Sequence, residues 1–281
     1  MGRWNWGKIL AFPGKHWPLT VFFILGGALI MTPHKLERHF IYYPTQTVRG
    51  NPSMMGLDYE DLALKTEDSI NLHGWFIPAP DADKTIMIFH GNAGNIGDRL
   101  EWMVQLRGLG TNVMIVDYRG YGKSEGDPYE EGLYRDARAA YQWWHSRRAG
   151  AAEKLILLGE SLGGSVAVDL AQRADPTGLI VQSTFTNAAD MARQFFPLGL
   201  LRPLLGIQFD SAAKIKNVTC PKLFIHGNKD EIVPFRIGCL LYDLAAPPKS
   251  FYEVEGAGHN DLIWVGGAEY LERIRAFLST L

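Results

Sequence analysis

Ser161 stands between glycines in Gly159-Glu160-Ser161-Leu162-Gly163. A serine hydroxyl is a poor nucleophile until a base takes its proton and an acid orients that base. When the serine sits on a sharp turn between strand and helix, acid and base follow it in chain order. Two histidines follow Ser161, His226 and His259. His226 lies inside the apolar run "KLFIHG", at a strand end. His259 lies in the glycine-flanked loop "VEGAGHNDL", where an imidazole can hang over a sheet edge, and it is the expected base. The expected acid is Asp230, directly after "KLFIHGNK", with Glu231 as the alternative. Asp261 follows His259 and breaks the order.

The chemistry also needs donors for a developing oxyanion. "TIMIFHGNAGNIGDRL" puts His90-Gly91-Asn92-Ala93-Gly94 after an apolar run. One expected donor is the backbone N–H of Leu162, next to the nucleophile. The other is that of Asn92, with Ala93 as the alternative. His90 is read as a clamp of this loop rather than a second base.

These residues require a scaffold, and the rest of the chain supplies its pattern. "YEDLALKT" and "INLHGWFIP" alternate like an antiparallel pair at a sheet edge. Short apolar runs follow: "TIMIFH", "NVMIVDY", "KLILLG", "GLIVQS", "KLFIHG" and "SFYEV". Such runs suit parallel strands buried on both faces. Helix-period spacing fills the gaps at 99–108, 129–147, 162–174 and 235–244, with a last helix over about 268–278. The alternation predicts a doubly wound α/β domain over residues 57–281. Residues 186–213 are long and apolar for a connection and are read as a lid, with a buried crossover helix as the alternative. Phe195, Phe196 and Leu201 are its expected pocket-lining residues.

In the strand–turn–helix reading of "LILLGESLGGSVAV", the flanking glycines leave room where a Cβ would strike a neighbouring strand or helix. The helix would aim its N-terminus at the developing anion. "RGYGKSEG" imitates phosphate loops, but Asp117 stands where a Walker A glycine belongs and Gly126 comes one residue late for GxGxxG. It is read as a loop lining the pocket mouth.

The 281-residue chain is 47 % hydrophobic and carries net charge −2, with no basic stripe, so nucleic acid is not an expected partner. No His/Cys cluster has metal-ligand spacing, and no metal or other cofactor is expected. Cys220 and Cys239 are too few for a disulfide framework, although one bridge between them is conceivable. Pro18–Thr32, "PLTVFFILGGALIMT", is uncharged. As a helix it would span about 22 Å of the roughly 30 Å hydrocarbon core, and Trp17, Lys15 and Lys35 could extend it. The expected layout is an interfacial tail over 1–16, a transmembrane anchor over 17–33 and a connector over 34–56. A cleaved signal peptide or a purely interfacial helix are the alternatives. Arg3, Lys8 and Lys15 ahead of the segment place the domain on the non-cytoplasmic side.

Together, "FHGNAGN", "DYRGYGKSEG", "GESLGG", "HGNKDEIVP" and "GAGHND" make residues 36–281 resemble the α/β-hydrolase superfamily. The resemblance is greatest to membrane-anchored serine hydrolases with an HGNAGN oxyanion loop. It implies Ser161 as nucleophile, Asp230 as acid and His259 as base, acting on carboxylic esters or thioesters. Members include lysophospholipases, monoacylglycerol lipases and protein depalmitoylases. The chain lacks the N-terminal cysteine cluster of the depalmitoylases. A small-molecule acyl ester or lipid is the expected substrate and a membrane the expected surroundings. The alternatives are a peptidase on the same fold and a non-catalytic membrane-anchored binding protein.

Overall fold

The computed structural model describes residues 41–148, 153–195 and 207–281. Eight strands form one sheet: β1 (Glu60–Lys65), β2 (Asn71–Ile77), β3 (Lys84–Phe89), β4 (Asn112–Val116), β5 (Lys154–Glu160), β6 (Gly178–Gln182), β7 (Lys222–Gly227) and β8 (Lys249–Val254). Their order is β1-β2-β4-β3-β5-β6-β7-β8. Only β2 runs against its neighbours. The expected hairpin at the edge is present, and β2 joins it to the parallel strands through β4.

The helices are α1 (Leu100–Arg107), α2 (Glu130–Arg148), α3 (Leu162–Ala174), α4 (Ala188–Phe195), α5 (Ser211–Ile215), α6 (Phe235–Leu244) and α7 (Leu262–Ser279). They cover both faces, which explains the continuous apolar runs. Side chains alternate across a strand. Ile86 and Ile88 of β3 and Ile156 and Leu158 of β5 face one core with Met103, Leu106, Tyr270, Ile274 and Phe277. Met87, Phe89, Leu155 and Leu157 face the other, with Leu133, Ala137, Val166 and Leu170.

Cys220 and Cys239 are both free thiols, without the one conceivable bridge. The structure departs from the sequence reading in three places. The last helix starts at Leu262 rather than near 268; Gly267, at φ 51°, kinks it without ending it. The connector is not a plain tether: from Tyr43 it is hydrogen-bonded along the loop after β3. "RGYGKSEG" is less a pocket mouth than a buried clasp, because Arg119, Gly120, Tyr121 and Gly122 are buried. Among the described residues no helix is long and apolar enough to cross a membrane; the expected anchor at 17–33 lies outside them.

Arg119 joins the edge hairpin to the crossover helix. Its guanidinium donates to Asp136 of α2 at 2.9 Å and to Asp68 of the β1–β2 turn at 2.8 and 3.1 Å. Arg119 and Asp136 are almost wholly buried. Removing one member of such a group strands the other charges, at about 3–5 kcal/mol. Arg119→Met should therefore lower the unfolding free energy measured in urea by an amount of that size, and a value within error of wild type would contradict this.

Candidate active site

β5 ends at Glu160 and α3 begins at Leu162, so Ser161 alone makes the turn, at φ 53° and ψ −115°. This left-handed region is costly for a residue with a side chain. Two glycines allow it. A Cβ on Gly163 would stand 1.9 Å from the Phe89 carbonyl oxygen, and one on Gly164 would stand 1.8 Å from Thr184 Oγ1. The Ser161 N–H donates to the Gln182 carbonyl at 2.8 Å, fixing the turn to β6.

The β7 and β8 loops bring the partners. His259 Nε2 lies 3.0 Å from Ser161 Oγ, and His259 Nδ1 lies 2.8 Å from Asp230 Oδ2. The three side chains predicted from the sequence are thus one hydrogen-bonded chain, almost wholly buried. Asp230 Oδ1 accepts the N–H groups of Ile232 at 2.9 Å and Val233 at 2.7 Å. Glu231, the alternative acid, does not reach the imidazole ring; it accepts the His259 backbone N–H at 3.3 Å. Asp261 accepts the Gly258 N–H at 2.7 Å. Both neighbouring acids therefore shape the loop that carries His259.

His226 was read only as a strand-end residue. Its Nε2 lies 2.9 Å from the Val233 carbonyl and 3.2 Å from Asp230 Oδ2. A carbonyl only accepts, so this nitrogen carries the proton. The ring thus presents an N–H edge to the carboxylate from beneath. Its position four residues before Asp230 was the available signal. Burial would raise the Asp230 pKa. Hydrogen bonds from His226 and His259, the charge of His259 and the Val233 N–H outweigh that and hold it well below the usual carboxylate range.

The loop after β3 flanks Ser161 from the other side. A Cβ on Gly91 would stand 3.7 Å from Ser161 Cβ. The Asn92 carboxamide donates to the Ile41 carbonyl at 2.8 Å. Its own carbonyl accepts from Tyr43 N–H at 2.9 Å and Tyr121 Oη at 2.8 Å. What Asn92 can offer a substrate is its backbone N–H. Leu162 is the first residue of α3 and buried. His90 is buried, with Nδ1 2.7 Å from the Gly91 carbonyl, and its carbonyl accepts from Tyr118 Oη at 3.0 Å. Burial, with the Arg99 charge second, pushes its imidazole down to about 3, so it stays neutral. Phe195 ends α4, while Phe196 and Leu201 lie outside the described residues.

Known proteins are similar to this chain over most of its length. A family model described as serine aminopeptidase, S33 (Hydrolase_4) matches residues 80–206. Protein bem46 of Schizosaccharomyces pombe is 33 % identical, across 85 % of each chain. The alpha/beta hydrolase domain-containing protein WAV2 of Arabidopsis thaliana is 34 % identical, across 89 % of this chain and 90 % of its own. This chain belongs to the α/β-hydrolase family. Among solved structures, the Pyrococcus furiosus esterase Pf2001 shares the fold with a TM-score of 0.71 at 22 % identity, covering 86 % of this chain and 97 % of its own. The chain is a hydrolase of this family, with a mostly parallel central sheet and helices on both faces.

A carboxylate whose pKa falls on folding stabilises the protein above its unfolded value of about 3.9, and that contribution is lost as pH falls toward the folded value. Asp230→Asn should therefore be less stable than wild type at pH 7, with the gap closing below about pH 4. Urea midpoints of both proteins across that range test this; a gap that stays constant contradicts it.

Proposed function

We propose that this hydrolase cleaves carboxylic esters or thioesters of lipophilic acyl groups through a covalent acyl-enzyme on Ser161. The reading is carried by the hydrogen-bonded chain Ser161–His259–Asp230 at 3.0 and 2.8 Å. His259 Nε2 takes the hydroxyl proton as Oγ attacks the acyl carbon. The backbone N–H groups of Leu162 and Asn92 receive the oxyanion at the helix N-terminus. His259 then delivers the proton to the departing alcohol or thiol. Next it draws a proton from the water that releases the acyl group. Asp230 remains ionised and holds the Nδ1–H edge of the ring.

The lipophilic preference is supported by apolar side chains around the catalytic loops. Trp264 is 65 % exposed, just after His259, and Ile232 is 37 % exposed, two residues after Asp230. Tyr43 is 54 % exposed and pairs with Ala93 of the loop after β3. The uncharged segment Pro18–Thr32 supports an N-terminal anchor over 17–33, with the domain on the non-cytoplasmic side. The description of the matching family model favours a second reading, amide cleavage by an aminopeptidase on the same three residues.

Fluorophosphonate labelling separates a catalytic protein from a binding protein, since only an activated serine reacts. Rates on p-nitrophenyl esters of increasing chain length and on aminoacyl p-nitroanilides then separate the two hydrolytic readings. Wild type should be labelled and prefer long-chain esters. Ser161→Ala should lose labelling and about 10⁶-fold in rate with its circular dichroism unchanged. Retained turnover in Ser161→Ala overturns the assignment, and preference for the anilides moves the peptidase reading forward.

A further inference from the structure

The segment ahead of the domain is built into the loop that faces Ser161. Among the described residues the contacts begin at the Ile41 carbonyl, which accepts the Asn92 carboxamide at 2.8 Å. Tyr43 and Pro44 then pair in parallel with Ala93 and Gly94. Tyr43 N–H donates to the Asn92 carbonyl at 2.9 Å and Thr45 N–H to that of Gly94 at 3.1 Å. Asn95 closes the set. Its Nδ2 lies 3.0 Å from the Thr45 carbonyl, 2.9 Å from Thr45 Oγ1 and 2.9 Å from the Thr47 carbonyl. Asn95 is 1 % exposed. The other face of the segment is also held: Gly122 N–H donates to the Thr45 carbonyl at 3.0 Å and the Gln46 carboxamide to Gly120 at 2.7 Å.

The loop itself is Gly91-Asn92-Ala93-Gly94, with Gly94 at φ 79°. Two glycines in four residues give it a wide choice of backbone states. An oxyanion donor is effective only when held in place before reaction. The segment 41–47 lies outside the stretch matched by the family model, which begins at residue 80.

We infer that residues 41–47 form a strap that sets the oxyanion loop, and that Asn95 is the positioning residue fastening it. The inference rests on the proposed acyl-enzyme chemistry and adds a requirement to it: the oxyanion site is complete only with chain upstream of the hydrolase core. Asn95 touches no reacting atom; it acts through the strap on the Asn92 N–H.

Asn95→Ser in the full chain isolates this role. Serine can still cap the following turn, as Asn95 Oδ1 does by accepting the Gly97 N–H at 2.9 Å. It is too short to reach Thr45 and Thr47. With p-nitrophenyl butyrate, kcat should fall about 10–100-fold while KM stays within about twofold. The affinity for butylboronic acid, whose tetrahedral serine adduct places an oxygen in the oxyanion site, should fall in the same proportion as kcat. Asn95→Asp, which keeps the size but turns the donor into an acceptor, should lose at least as much. A merely structural role would lower the melting temperature and leave kcat and boronate affinity per folded molecule unchanged, and that result overturns the inference. Amide hydrogen exchange in residues 90–96 is read in the same samples and needs no turnover. It should accelerate in Asn95→Ser; unchanged exchange overturns the strap by itself. Wild type that hydrolyses no ester overturns the reaction instead, and exchange then decides the strap alone.

Discussion

The active edge of this protein depends on one close approach. The first turn of α3 lies against the end of β3 with no space for a side chain at Gly163, whose absent Cβ would fall 1.9 Å from the Phe89 carbonyl oxygen. That contact brings the helix N-terminus and the loop after β3 together at one point. It also forces Ser161, the residue between strand and helix, to φ 53°. Strain of this kind costs on the order of 1–3 kcal/mol and persists only where its surroundings fix it. Here the buried central strands fix it, with β3 and β5 paired in register from Lys84–Lys154 to Phe89–Gly159.

The second organising element is electrostatic. Asp230 collects the N–H groups of Ile232 and Val233 on one oxygen and two imidazole nitrogens around the other. A buried carboxylate is costly without such partners, and with them it stays ionised. An ionised Asp230 fixes which nitrogen of His259 faces Ser161. The two acids beside the site do not compete for the ring. Glu231 and Asp261 bind backbone N–H groups of the same loop, so their charge shapes the path of residues 258–261.

Much of this was legible in the chain, and the exceptions have physical reasons. Local signals found the strands, because a sheet buried on both faces writes itself as apolar runs. They found Ser161, Asp230 and His259, because each stands just after such a run. The start of α7 was misplaced because Gly266-Gly267 reads as a helix end, whereas a single residue at φ 51° changes direction and the helix continues. His226 was undervalued because a histidine in a strand carries no local mark of what lies beside it. The strap was read only as part of a connector since its partners are some fifty residues away, and nothing in "IYYPTQT" announces Asn92 or Asn95. Arg119 escaped for the same reason: its two carboxylates lie in different elements, Asp68 and Asp136.

The two ends of the connection between β6 and β7 are fastened to each other and to α2. Its stem is closed by Ala188 N–H to the Gln208 carbonyl at 2.8 Å and by Ala212 N–H to Thr186 at 2.9 Å. Glu130 of α2 accepts the N–H groups of Gln208 and Phe209 at 2.6 and 2.7 Å. Phe209, at φ 39° and 1 % exposed, packs edge-on against Tyr134 of α2 and Tyr42 of the strap. The stem is thus anchored to the same segment, 41–47, that pairs with the loop after β3. The described start of the segment is held elsewhere as well, Arg236 of α6 donating to the Gln194 carboxamide at 2.6 Å and Met191 packing against the core.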